Sequence, residues 1–202
     1  MESWREAVWA AVPPGAVPER FAERRDFLLA HVRPSEAVLD LGCGDGTFAA
    51  ELVRAGAKVT AADVSTEALR RAAERAPRAR TVLLTEGAEL PFGEDEFGLV
   101  WLGETLEHVA DVVGLLSDVR RVLRWGGTLL VTTPNQPRLA VALDALRGHP
   151  LEERLDPLAD HLRFFTARTL REVLVAAGFA ETDVRAVGGN VLARTGLRAV
   201  AR

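Results

Sequence analysis

Three glycines on alternate positions after a run of strand-forming residues constrain this chain more than anything else in it. The run is Val38-Leu39-Asp40-Leu41, and Gly42-Cys43-Gly44-Asp45-Gly46-Thr47 follows. The pattern predicts a buried strand, a tight turn and then a helix. With no Cβ atoms at 42, 44 and 46, the backbone can turn sharply and approach a ligand closely. Asp40 narrows the choice of ligand. A carboxylate just before the turn repels a pyrophosphate and suits a ligand that carries an ammonium or a sulfonium.

The remainder of the chain alternates between strand and helix patterns. Strands are predicted over 37–41, 58–63, 81–85, 97–102 and 128–133, where β-branched and apolar residues cluster between turn residues. Between them run helices with apolar faces, such as Val112, Leu115, Leu116, Val119, Val122 and Leu123. Ser65, Asp111 and Thr166 stand where N-caps belong, and Gly178 where the last helix should end. Trp125-Gly126-Gly127 is expected to turn into strand five, and 87–96 to form a loop. Two further helices are expected ahead of the first strand, over 4–12 and 19–31, the first closed by Pro13-Pro14-Gly15. Strands alternating with helices imply an α/β fold with a mainly parallel sheet covered on both faces. Two last strands, 182–187 and 197–201, have no helix between them, so they pair antiparallel or sit apart in the sheet. With no linker or internal repeat, residues 1–202 are expected to form one domain, with 1–34 as N-terminal cap helices and 134–165 as an inserted cap segment.

In an open α/β sheet the ligand lies outside the carboxyl ends of the strands. Those ends carry Asp40-Leu41-Gly42, Asp63-Val64, Thr85-Glu86-Gly87 and Gly103-Glu104. Asp63 is placed to accept from both hydroxyls of a ribose, and Glu86 from an adenine amino group. No Gly-Lys-Ser/Thr phosphate cradle exists. A net charge of −4 without a basic run argues against a nucleic-acid partner. Cys43 is the one cysteine in the chain, so no internal disulfide can form, and it is expected to pack as a small hydrophobe. No apolar run nears the roughly 18 residues that cross a bilayer. The opening residues, Met1-Glu2-Ser3-Trp4-Arg5-Glu6, lack the pattern of a signal peptide. A cytoplasmic protein with no stable membrane association is expected.

Five segments in order resemble the class I S-adenosylmethionine-dependent methyltransferases, and most of all the ubiquinone-biosynthesis type of small-molecule O-methyltransferase. They are Val38 to Gly46, Asp63-Val64, Glu86-Gly87-Ala88-Glu89-Leu90-Pro91-Phe92, the fourth strand with Glu104-Thr105-Leu106-Glu107-His108, and Leu123-Arg124-Trp125-Gly126-Gly127-Thr128. The resemblance implies a Rossmann-like, seven-stranded, mostly parallel sheet with a final antiparallel strand. It implies S-adenosyl-L-methionine as cofactor, held by Asp40, Gly42, Gly44, Asp63, Val64, Glu86, Gly87 and Gly103, and a small-molecule acceptor. Glu86 and Gly98 stand where the family usually has Asp. The nucleic-acid branch of these enzymes carries Asn/Asp-Pro-Pro-aromatic after strand four, whereas this chain has Leu102-Gly103-Glu104-Thr105.

Methyl transfer from a sulfonium needs alignment and exclusion of water, and a hydroxyl acceptor also needs a base. His161 and His108 are the candidate bases, with His149 a third. Glu104, Glu107 and His108 would share one face of a helical turn, and in ubiquinone-type enzymes the matching residues are associated with a divalent ion. A structural role for Glu107 and His108 is expected ahead of a metal here. Trp4, Trp9 and 139–146 could line an apolar acceptor pocket or simply pack. Two alternatives to an enzyme of this class stay open. One is a non-catalytic S-adenosylmethionine-binding or regulatory protein. The other is an NAD(P)-binding oxidoreductase, which Thr47 in the sixth motif position and Asp40 both disfavour.

Overall fold

The computed structural model describes residues 4–13, 15–136, 141–142, 146, 148, 161–188 and 195–202. Seven strands form one sheet: β1 Ala37–Leu41, β2 Lys58–Asp63, β3 Arg80–Leu83, β4 Phe97–Gly103, β5 Leu123–Pro134, β6 Thr182–Val187 and β7 Gly196–Ala201. Their order across the sheet is β3-β2-β1-β4-β5-β7-β6. β1 to β5 run parallel, and β7 runs antiparallel to both β5 and β6. The last two strands therefore do pair antiparallel, with the final one slotted inside the edge strand. The Gly189-Asn190 part of the turn predicted between them lies outside the described residues, as do Leu139, Leu143 and His149.

Helices cover both faces. α1 Trp4–Ala11, α2 Phe21–Leu29, α3 Thr47–Arg54 and α4 Thr66–Arg75 precede the third strand. α5 Val112–Val122 and α6 Ala167–Ala176 follow the fourth and fifth. The central strands are apolar on both sides, and their period of two divides the core. Val38, Leu99 and Trp101 pack with Phe27, Leu28, Phe48, Leu52 and Leu69 on one face. Leu39, Val100 and Leu102 pack with Leu116, Val119 and Leu170 on the other.

The local signals set the element ends. Ser65, Asp111 and Thr166 each accept a backbone N–H of the following turn, from Ala68, Gly114 and Thr169. Several boundaries differ from expectation. β3 ends at Leu83 and not at Thr85; the Leu84 N–H donated to the Asp63 carbonyl at 2.8 Å is the last rung of its ladder with β2. β5 starts at Leu123, which pairs with Phe97; the register then shifts, so Trp125-Gly126-Gly127 is an irregularity inside the ladder, with Gly126 at φ 71°. α2 is shorter than predicted, starting after Arg20, whose φ of 53° is left-handed.

Candidate cofactor and active site

The glycine turn joins β1 to α3 at the carboxyl edge of the sheet. Gly42, Gly44 and Gly46 all have positive φ, at 75°, 53° and 77°. Space is as demanding as conformation. A Cβ on Gly42 would fall 2.6 Å from the Thr105 hydroxyl oxygen, and one on Gly46 would fall 2.7 Å from the Ala72 Cα of α4. A Cβ on Gly44 would lie 2.5 Å from the Trp9 ring. Two of the glycines thus serve close packing within the protein, and the middle one carries α1.

Asp63 ties the turn to β2. Its Oδ2 accepts the Gly44 N–H at 2.9 Å, and its Oδ1 accepts the Ser65 N–H at 3.0 Å. A carboxylate oxygen can accept more than one hydrogen bond, the capacity a ribose diol would use. Asp40 lies deeper, 2% exposed. Its Oδ2 has no hydrogen-bond partner among the described residues. Burial, and then the nearby charge of Asp63, push its carboxyl up to about 7. Val64 is half-buried beside Asp63.

Arg24 is a candidate site residue that the sequence motifs do not single out. It projects from α2, is 7% exposed, and stacks 4.7 Å from the Phe48 ring centroid. Its Nε lies 3.8 Å from Glu104, and the charges of Glu104, Glu107 and Asp40 all act on it. Burial nevertheless lowers its guanidinium from the usual value, and its Nε has no hydrogen bond among the described residues. A signal was available: Arg24, Phe27 and Leu28 stand at i, i+3 and i+4, which puts a charge on the apolar stripe of the helix.

At the tip of β4, Gly103 leaves no room for a side chain, since a Cβ would sit 2.7 Å from Trp101. Glu104 follows at φ 58°, and then a 3-10 turn, Leu106–His108. The three candidate ligands of a helical face therefore do not share one. Glu104 belongs to the Arg24 pair, while Glu107 and His108 meet His161. One ligand atom each from Glu107, His108 and His161 lie within 4.8 Å of one another. The two imidazoles are edge to face, centroids 4.9 Å apart. Glu107 is 1% exposed and pushed up to about 8, by burial first and then by Glu104. Its Oε2 accepts the Thr133 hydroxyl at 2.9 Å, and its Oε1 has no hydrogen bond among the described residues. The Glu107 carbonyl accepts the N–H groups of Leu162 and Arg163, at 2.7 and 2.9 Å, which brings His161 to the site.

The loop after β3 exposes Glu86 and Gly87, the latter at φ 75° with open space around it. Its far end is fastened: Arg121 of α5 donates to the carbonyls of Leu90 and Phe92, at 3.0 and 2.7 Å. Asp118 accepts the Leu90 N–H.

A methyltransferase-domain family model matches residues 39–131, the segment that holds the turn, the strand ends and β4. A demethylmenaquinone methyltransferase of Tropheryma whipplei is 37% identical over 113 residues, 55% of this chain but 47% of that protein. The chain thus spans about half the length of the first curated relatives it matches. A ubiquinone biosynthesis O-methyltransferase of Methylocella silvestris is 31% identical over 206 residues, covering 90% of this chain and 78% of that protein. The chain belongs to the class I S-adenosylmethionine-dependent methyltransferases. Its fold agrees: an S-adenosylmethionine-dependent methyltransferase from Mesorhizobium loti superposes with a TM-score of 0.72 at 19% identity, over 93% of this chain and 99% of that one. No helix among the described residues is long and apolar enough to cross a membrane.

Proposed function

We propose that this methyltransferase-family protein transfers the methyl group of S-adenosylmethionine to an oxygen atom of a small molecule, by in-line displacement. The observation that carries the cofactor half is Asp40, a buried carboxylate with an unpartnered oxygen beside the glycine turn. Such a group suits a cationic ligand and opposes a pyrophosphate. In this reading Asp63 accepts from the ribose hydroxyls and Glu86 from the adenine amino group, with Val64 and Gly87 bordering the base. Asp40 faces the ammonium end, and Gly42, Gly44 and Gly103 let Thr105, Trp9 and Trp101 pack tightly around that edge of the sheet. Arg24 is the cation for the carboxylate of the methionyl moiety, which fits its near-complete burial and an Nε that has only the 3.8 Å ion pair with Glu104 and no hydrogen bond among the described residues.

The cofactor brings an already activated methyl group, so the protein's work is to orient the acceptor and keep water out. His161 and His108 are the two bases within reach of an acceptor hydroxyl over β4. The name of the Methylocella relative favours oxygen as the acceptor atom. A divalent ion is the second reading of this corner. Glu107, His108 and His161 offer one oxygen and two nitrogens at suitable separations, and the unpartnered Glu107 Oε1 fits a ligand role. Such an ion would lower the pKa of an acceptor hydroxyl.

Calorimetric titration with S-adenosylmethionine and, separately, NADH tests the cofactor. Binding of the first and not the second is expected, and no binding of S-adenosylmethionine or its demethylated product ends the reading. Asp63→Ala should weaken binding by tenfold or more, about the cost of a lost bidentate polar contact. Labelled S-adenosylmethionine incubated with cell extract then reveals the acceptor. An unlabelled product pool would favour a non-catalytic binding protein. Methyl transfer that survives both a chelator and Glu107→Gln would remove the metal.

A further inference from the structure

We infer that α1 is a hinged cover over the cofactor, with Trp9 as its inner face and Glu6 as its clasp on α4. The inference rests on the cofactor reading above and adds to it a positioning role for two residues of α1.

The clasp is visible in the hydrogen bonds. The Glu6 carboxylate accepts from the Ser65 hydroxyl at 2.7 Å, the Thr66 N–H at 2.6 Å, the Thr66 hydroxyl at 2.7 Å and the Glu67 N–H at 3.2 Å. These donors hold its carboxyl down at about 2, so it stays charged across the working pH range. They belong to the residues that immediately follow Asp63-Val64. Further along, Arg71 of α4 donates to the Val12 carbonyl at 2.7 Å, beyond the end of α1. Between the two attachments, Trp9 lies on Gly44, whose N–H is bound by Asp63. The helix therefore touches the cofactor machinery at both the glycine turn and the ribose end. Beneath it Asp63 is 7% exposed and Ser65 is fully buried. α1 therefore lies against the residues on either side of the Asp63 carboxylate, Gly44 and Ser65.

Part of the clasp faces water. Thr66 is exposed, and hydrogen bonds to exposed groups exchange with water at small net cost. The connection to α2 supplies a pivot. Gly15 has φ 79° with no atom of the described residues within 4 Å of the Cβ position, and Val17 beyond it is exposed.

The test is stopped-flow tryptophan emission during binding of S-adenosylhomocysteine. It uses the wild type, Glu6→Ala, Glu6→Gln and Trp9→Phe, each checked by circular dichroism. A cofactor-dependent emission change is expected in the wild type and lost in Trp9→Phe. Glu6→Ala should raise both the association and the dissociation rate constant by about five- to tenfold, the size of effect that follows loss of a helix cap. Affinity should change less than either rate. Glu6→Gln keeps an acceptor oxygen and should recover part of the effect. Should Glu6→Ala fail to fold, acrylamide quenching of the wild type decides, because the bound cofactor should shield the quenching component that Trp9→Phe removes. Unchanged rates in a folded Glu6→Ala, an emission change that persists in Trp9→Phe, or quenching indifferent to the cofactor would each overturn the cover. Failure of the cofactor reading looks different: calorimetry of the wild type would then show no binding at all.

Discussion

At the scale of single residues, Asp40 connects sequence, burial and chemistry most directly. Its proton is the measurable consequence. In the ligand-free protein the carboxyl sits at about 7, raised by burial and by Asp63. A cationic ligand alongside favours the ionised form and lowers that value. Binding of S-adenosylmethionine at pH 7 should therefore release protons. The demethylated product keeps the ammonium that Asp40 faces, so it should release protons as well. Calorimetry in buffers of different ionisation enthalpy counts them, and no release by either ligand would contradict a carboxylate beside the ammonium. Gly98 is a second instructive residue. The sequence offered no reason for glycine where the family has Asp. In the structure a Cβ at 98 would fall 2.6 Å from Glu36 Oε1 and 3.0 Å from Arg124 Nη2. Those two groups form a 3.0 Å ion pair across the space. Glu36, 62 residues away in the chain, brings a carboxylate into the space that a side chain at 98 would need. Gly98→Asp should thus destabilise by about 1–3 kcal/mol, as overpacking does. The double variant Glu36→Ala with Gly98→Asp should regain most of the loss, because the introduced carboxylate can then pair with Arg124. Urea unfolding of the three variants checks this, and an additive double variant would reject the exchange.

At the scale of elements, what could be read from the sequence was local, and what could not was long-range. The Ser65, Asp111 and Thr166 caps each involve a donor three residues on, so a short window contains the whole interaction. Strands β1 and β2 matched residue for residue because Gly and Pro punctuate their ends. The loop after β3 is the opposite case. Its Glu86-Gly87 end was recognisable from its motif, but its geometry depends on Arg121, 29 residues beyond Phe92 in sequence. The guanidinium pairs with Asp118 and caps two loop carbonyls at once. Replacing it with Met keeps the aliphatic stem and removes all the donors. Arg121→Met should speed amide exchange over 86–92 and weaken S-adenosylmethionine binding by about five- to tenfold, the worth of one or two hydrogen bonds to a charged group. Unchanged exchange in that loop would show that Asp118 alone holds it. Helix–helix and helix–loop attachments such as Glu6 on α4 were invisible for the same reason: partners 59 to 61 residues apart leave no periodic trace.

At the scale of the whole molecule, strand order could be read only as far as right-handed crossovers dictate it. For β1 to β5 each crossover carries a helix or a long loop, and the parallel order follows. For the last two strands the sequence permitted two arrangements. The structure has β7 between β5 and β6, which puts Leu197 and Ala199 into the core. Two acids of the candidate site are buried, Asp40 on β1 and Glu107 in the 3-10 turn after β4. Together they govern how the ligand-free protein responds to pH. Each has a folded value raised above its ordinary one, to about 7 from 3.8 and to about 8 from 4.5. Between the ordinary and raised values the folded chain holds protons that the unfolded chain has lost. Stability therefore falls as pH rises through that window, from about 4 to 8. In the presence of a chelator the melting temperature should drop from pH 5 to pH 8. Asp40→Asn and Glu107→Gln should each flatten part of the slope, and the double variant most of it. S-adenosylmethionine, which favours ionised Asp40, should flatten it without any substitution, over and above the general stabilisation a bound ligand gives. A wild-type melting temperature that is level or rises over that range would mean that the two carboxyls are not held neutral by the fold, and would remove the proton count expected on cofactor binding with them.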